Sequence, residues 1–102
     1  MLDWKQAVKT MSIKNILREE DIEGLIKLGA PADEYNSEAK EIEAAMSRLG
    51  DNPSEEQVVQ VLKDIWKDSF DLSTEDIELR RDTFQRVARR ILLDPWQRNA
   101  TP

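Results

Sequence analysis

The stretch that decides the fold is NPSEEQVVQVLKDIWKDSF, at residues 52–70. Its beginning carries the usual signals of a helix start. Asn52 is a candidate N-cap, Pro53 suits the first helical position, and Glu55 stands three residues after the cap. Apolar residues then recur at every third or fourth position, which predicts an amphipathic helix. The predicted core-facing side consists of Val58, Val61, Leu62, Ile65 and Ser69, with Trp66 beside it.

The same spacing predicts one helix before this stretch and one after it. The earlier helix spans about residues 37–49, with Asn36 or Ser37 as its cap and Gly50 at the left-handed position after its end. The later helix begins near Ser73, whose best capping partner is Asp76, and stops before Pro95. The two apolar stripes are Ala39, Ile42, Met46 and Leu49, and Ile77, Phe84, Val87, Ala88, Ile91 and Leu92.

The N-terminal third of the chain is less regular. A helix is predicted from about Ser12 to Glu20, and the earlier spacing of Trp4, Val8 and Met11 fits either a further helix or a loosely docked arm. Glycines and a proline interrupt residues 21–36, which we expect to form a long ordered connection with one helical turn. A connection of this length is uncommon in a compact domain and is often functional.

These elements predict an all-α fold, because no segment alternates with period two for long enough to make a strand. We expect a small antiparallel bundle of three main helices, with one or two N-terminal helices and a long ordered loop. At 102 residues the chain is about one domain. Its core is expected at about residues 12–94, with an arm at residues 1–11 and a tail at residues 95–102.

Composition excludes several classes of chemistry. The chain contains no histidine and no cysteine, so it has no disulfide, no Cys/His zinc site, no catalytic cysteine and no histidine-based triad. We expect no cofactor. No apolar run approaches the roughly 18 residues of a membrane span, and the chain does not start like a signal peptide. A cytoplasmic protein without a membrane partner is therefore expected.

The net charge of −6 is unevenly distributed. Residues 19–70 carry fourteen acidic and five basic side chains, whereas residues 71–102 carry six of each. The acidic middle is either a partner surface or an ordinary solvated exterior. Because an acidic domain repels nucleic-acid phosphate, a protein partner or self-association is favoured over nucleic acid.

Two other functions have residues to support them. The first is a carboxylate cluster that could bind Ca²⁺ or Mg²⁺, consisting of Asp33, Glu34, Glu38 and Glu41. The same carboxylates could serve a small enzyme, with Tyr35 as a hydrogen-bond donor. The EF-hand spacing is missing, however, and helix capping or solvation explains these residues equally well. Nucleic-acid binding would use the arginines of the last helix, among which the acidic Glu78 and Asp82 are interleaved. Those arginines are Arg80, Arg81, Arg86, Arg89 and Arg90.

Protein binding is the interpretation that the sequence favours. Trp4, Trp66 and Trp96 are more tryptophans than so small and polar a chain needs for its core, and tryptophan is enriched at interface hot spots. The alternative is that all three are half-buried anchors. We therefore predict a non-catalytic protein-binding module. Its candidate interaction residues are Asp33, Glu34, Tyr35, Trp4, Trp66 and Trp96.

Two stretches, ILREEDIEG at residues 16–24 and GAPADEYNSE at residues 29–38, together with the later apolar positions, resemble the YugE-like family of small bacterial helical proteins. The resemblance covers about residues 13–93. It departs from the family at Ile22, where proline is usual, and at Asn36, where aspartate is usual. It implies a compact helical fold, a cytoplasmic bacterial source and, through some relatives, a likeness to immunity proteins that block a cognate toxin. Asp33, Glu34 and Tyr35 correspond to the family's loop, without a catalytic role.

Overall fold

The computed structural model describes residues 13–50 and 52–93, and within these ranges the fold is all-α, as predicted, with no strand. Residues 13–20 form helix α1, and four helices follow. These are α2 (Asn36–Arg48), α3 (Glu55–Phe70), α4 (Thr74–Leu79) and α5 (Arg81–Leu93). The predicted Ser12 cap, the N-terminal arm, the tail, Trp4 and Trp96 lie outside the described residues. None of the helices in the described part of the chain is long and apolar enough to cross a membrane.

Helix α3 is the central element, because it packs against both α2 and α5. The aromatic ring of Tyr35, just before α2, stacks with that of Trp66 near the end of α3. Glu55 at the start of α3 pairs with Arg89 near the end of α5. These contacts set α3 antiparallel to both neighbours, as the short connections predict.

The start of α3 differs from the prediction. Ser54, not Asn52, is the N-cap: its hydroxyl accepts a hydrogen bond from the Gln57 backbone N–H at 3.1 Å, and the Gln57 side chain accepts from the Ser54 N–H at 2.8 Å. This reciprocal capping box pairs two backbone N–H groups that have no partner within the helix. Pro53 therefore precedes the cap and lies outside the helix.

The buried face of α3 is also rotated from the predicted one. Val58, Leu62 and Trp66 are fully buried, at a spacing of four residues, whereas Val61 and Ile65 are only partly buried and Ser69 is exposed. The spacing alone could not show that the indole N–H of Trp66 has a carboxylate partner inside the fold. Because that partner satisfies its one polar atom, Trp66 lies at the centre of the core rather than beside it.

Helix α2 keeps the predicted buried stripe of Ala39, Ile42 and Met46, and Gly50 has the predicted positive φ, at 91°. Its start differs from the prediction, because Tyr35 occupies the N-cap position and no side chain caps the helix. Neither Asn36 nor Ser37 therefore acts as the cap.

The predicted last helix is divided into α4 and α5 at Arg80. The Ser73–Asp76 capping pair is confirmed, and the predicted stripe from Phe84 to Ile91 is buried. The division occurs because Arg80 leaves the helical conformation (φ −98°, ψ 7°) and its Nη1 donates to the backbone carbonyl of Asp76 at 2.8 Å. The same guanidinium reaches Glu23 in the connection between α1 and α2.

Candidate functional site

The connection between α1 and α2, residues 21–35, is ordered and contains the helical turn that the sequence predicts. Ala30 N–H donates to the Leu25 carbonyl at 2.9 Å and Gly29 N–H to the Ile26 carbonyl at 3.0 Å. This is the Schellman pattern that ends a helical turn, and it needs a residue with positive φ, which Gly29 supplies at 109°. At the start of the turn, the Asp21 carboxylate accepts from the N–H groups of Ile26 and Lys27, both at 3.0 Å.

The hydroxyl of Tyr35 is the first of two groups through which side-chain hydrogen bonds attach this connection to the core. It donates to Asp21 Oδ1 at 2.6 Å and accepts from the backbone N–H groups of Glu23 and Leu25 at 3.2 and 3.4 Å. Burial and the hydrogen bond to Asp21 raise the pKa of the Tyr35 phenol well above its usual range. Burial opposes ionisation of Asp21, but the hydrogen bonds from Tyr35, Ile26 and Lys27 outweigh it and leave the pKa of that carboxyl lowered.

The Glu23 carboxylate is the second group that attaches the connection to the core through hydrogen bonds. Oε2 accepts from Arg80 Nε at 2.6 Å and from the indole Nε1 of Trp66 at 2.8 Å, and Oε1 accepts from Arg80 Nη2 at 2.8 Å. The carboxylate thus receives three hydrogen bonds, two of them from one guanidinium in the bidentate geometry that makes such pairs strong. The bond to Glu23 raises the pKa of Arg80.

The arginines of the last helical segment all have carboxylate partners within the fold. Arg90 pairs with both Glu19 and Glu20, and Arg86 pairs with Glu20 at 2.8 Å, which joins α5 to the end of α1. Arg80, Arg81 and Arg89 pair with Glu23, Glu78 and Glu55. A stripe that would contact phosphate in nucleic acid is therefore already occupied by carboxylates, and this counts against nucleic-acid binding through this helix.

The predicted candidates do not form one site. Tyr35 is 2% exposed and Trp66 is 0% exposed, so both are core residues with no surface to offer a partner. Asp33 and Glu34 are exposed in the turn before α2. The sequence interpretation of Trp66 and Tyr35 as interface residues is corrected accordingly, because each polar tip is used inside the fold.

The proposed set of metal ligands is also divided. Asp33 lies by a depression of about 280 Å³ that it shares with Lys14 and Arg18 of α1. Glu41 lies by another depression of about 420 Å³, between α2 and α3. In residues 13–50 and 52–93, no three carboxylates are grouped so that they could hold a metal ion. The geometry therefore gives the metal alternative no support among the residues described.

The larger depression has the more unbalanced charge, and we call it the acidic groove. Its charged lining residues are Glu41, Asp64, Asp68 and Asp71, with Lys67 as the cation. Two partly buried apolar side chains, Ile65 and Leu72, also line it. Four carboxylates beside two apolar side chains suit a ligand that is basic and partly apolar.

Sequence reasoning did not identify Asp21, Glu23 and Arg80, the residues that organise the connection. Glu23 and Arg80 are 57 positions apart, and nothing in one sequence pairs two charged residues at that distance. The available signal was indirect: a tryptophan and a tyrosine in a small core each need a hydrogen-bond partner for the polar atom.

No protein-family model, no curated protein and no solved structure matches the chain at a significant level.

Proposed function

We propose that this chain is a non-catalytic protein-binding domain that takes a basic surface of a partner protein into the acidic groove between α2 and α3. The observation that carries the proposal is the distribution of charge. The arginines of α5 and its approach form ion pairs with carboxylates of the same fold, whereas the groove carboxylates form none with the residues that the structure describes.

The groove carboxylates lack cationic partners among the described residues. Neither Asp64 nor Asp68 forms an ion pair there: Asp64 accepts a hydrogen bond from Gln60 at 2.9 Å, and Asp68 is exposed. Glu41 meets only the Ser69 hydroxyl, at 3.5 Å. Uncompensated charges of one sign attract a partner of the opposite sign over long distances and fix its orientation.

The apolar side chains of the groove supply the short-range part of such binding. Ile65 and Leu72 are partly buried and stand among the carboxylates, so a partner could cover them while placing its lysines or arginines near the acids. An apolar centre with a charged rim is the usual composition of a protein interface. A cognate toxin with a basic surface, the kind of partner that the YugE-like resemblance implies, has this chemistry.

Non-catalytic action is supported by how the reactive groups are used. The one phenol of the chain is held neutral by burial and its hydrogen bonds, and Asp21 and Glu23 are saturated by donors from within the fold. A general acid or base needs a group free to exchange a proton with a substrate. The exposed carboxylates are better suited to binding.

The experiment begins with capture of a partner from a lysate of the source cell and continues with titration of the purified partner. We expect saturable binding that weakens as salt is raised. Asp64→Asn with Asp68→Asn should weaken it about 3- to 30-fold, because each interfacial charge contributes up to roughly 1 kcal/mol. Asp33→Asn with Glu34→Gln removes the same charge from another surface and should leave affinity unchanged. A partner that binds both double variants equally would place the interface elsewhere.

A further inference from the structure

The connection that precedes α2 is attached to the body of the protein differently from the helices. No side chain of residues 18–34 is fully buried, whereas α1, α2, α3 and α5 each contribute several fully buried residues. Ile22, Leu25 and Ile26 pack against the core only in part. We call residues 21–34 the latch.

The hydrogen bonds of the latch fall into two groups. Its turn is closed by bonds within the latch, from Ala30 to Leu25, from Gly29 to Ile26, and from Ile26 and Lys27 to the Asp21 carboxylate. These bonds can persist when the latch moves. Within residues 13–50 and 52–93, its side-chain hydrogen bonds to the body converge on two groups, the Tyr35 hydroxyl and the Glu23 carboxylate.

The ends of the latch allow it to move without disturbing the helices. At its start Asp21 has a positive φ of 45°, so the chain has already left the helical conformation of α1 there. At its end, the hydrogen bond from Asn36 N–H to the Asp33 carbonyl closes a turn, and α2 begins directly after that turn. Segments with few buried apolar contacts and a small number of attachments are those that open below the free energy of global unfolding.

We propose that the latch opens as one unit while α2, α3 and α5 remain folded, and that the Glu23 carboxylate is the contact that keeps it closed. Opening removes the only hydrogen-bond partner of the Trp66 indole N–H within the described structure and uncovers that edge of the ring. It also frees Arg80 from Glu23. The fold therefore contains a closed state and an open state that differ at the aromatic core.

Hydrogen exchange followed by NMR on the full chain tests this. The amides of Glu23 and Leu25 donate to the Tyr35 hydroxyl and lose that partner when the latch opens. These two latch amides should exchange at one common opening rate, about tenfold or more faster than the amides of Leu62 and Val87 after correction for intrinsic rates. The indole N–H of Trp66 should follow the latch amides, although Trp66 lies in α3. This measurement on the unaltered protein decides whether the latch opens separately.

Two matched variants test the role of Glu23. Glu23→Gln keeps the shape but removes the charge, and it should speed exchange of the Glu23 and Leu25 backbone amides about tenfold, because hydrogen bonds to a charged group are roughly twice as strong as neutral ones. Glu20→Gln is the control, because Glu20 is as buried as Glu23, with 11% of its side chain exposed. Its carboxylate also binds guanidinium groups, those of Arg86 and Arg90. Glu20→Gln should leave the latch amides unchanged.

The proposal is overturned if the latch amides and the Trp66 indole exchange at the rate of Leu62 and Val87, because opening would then require global unfolding. It is also overturned if Glu20→Gln speeds the latch amides as much as Glu23→Gln does. Should Glu23→Gln fail to fold, Tyr35→Phe removes the other attachment and should speed exchange of the Trp66 indole N–H, whose own hydrogen bond to Glu23 the substitution leaves in place. An unchanged rate for the indole would overturn the proposal.

Discussion

At the scale of single residues, Tyr35 shows how one side chain can organise a connection that has little apolar surface. Its ring packs against those of Trp66 and Phe70, with centroid distances of 5.9 and 6.4 Å, while its hydroxyl reaches back to three groups of residues 21–25. The ring adds buried apolar surface to the core, and the hydroxyl holds residues 21–25 in place. A phenylalanine would keep the first and lose the second.

Tyr35→Phe should therefore destabilise the protein by about 1–3 kcal/mol, because the N–H groups of Glu23 and Leu25 lose their acceptor and Asp21 loses one of its three donors in a partly buried place. Urea denaturation measures the change. Ser47→Ala is a fair control, since it removes a hydroxyl that makes one exposed hydrogen bond to the Glu43 carbonyl, and it should shift stability by no more than about 0.5 kcal/mol. Equal effects of the two substitutions would show that water replaces the Tyr35 contacts.

At the scale of elements, the sequence predicted what depends on local spacing and missed what depends on distant pairing. The stripe of α2, the turn at Gly50 and the Ser73–Asp76 cap are local, and all three are present. The break at Arg80 and the central position of Trp66 depend on Glu23, which is 57 and 43 residues away from them. Periodicity contains no information on contacts at that range.

The joint between α1 and α5 is another such long-range contact, and it should make the fold sensitive to acid. Hydrogen bonds from Arg86 and Arg90 hold the pKa of Glu20 below its ordinary value of 4.5, despite partial burial. A carboxyl with a lowered pKa in the folded state contributes stability that is present above the ordinary pKa and is lost as pH falls through the folded pKa. Stability should therefore decline below about pH 4.5.

Glu20→Gln isolates this contribution. The variant should be less stable than the unaltered protein near pH 7, and the difference should shrink as the pH is lowered below 4.5 and the native carboxyl becomes protonated. Urea midpoints near pH 7 and at acid pH measure it. A difference that stays constant between them would mean that the charge of Glu20 does not contribute to the joint, and that only the shape of its side chain matters.

At the scale of the whole molecule, the net charge is −6, and in the described residues the arginines near the C-terminal helix are paired with carboxylates while those of the acidic groove have no ion pair. The ion pairs of α5 reach α1 and the start of α3, and Arg80, just before α5, reaches the latch. Among the described residues, no ion pair of the acidic groove joins two parts of the fold in this way. Repulsion among its carboxylates should oppose folding, a cost that the proposed binding role would explain.

This arrangement predicts how salt acts on stability. Added salt screens the repulsion in the acidic groove, which raises stability, and weakens the exposed ion pairs of α5, which lowers it. These opposite effects combine in any single protein, but a comparison of variants separates them. Asp64→Asn with Asp68→Asn should raise the melting temperature at about 50 mM NaCl, and this advantage should mostly vanish at about 500 mM. Asp33→Asn with Glu34→Gln should not stabilise, because Asp33 lies by Lys14 and Arg18. Equal stabilisation of both double variants would show that net charge matters, and not its place in the groove.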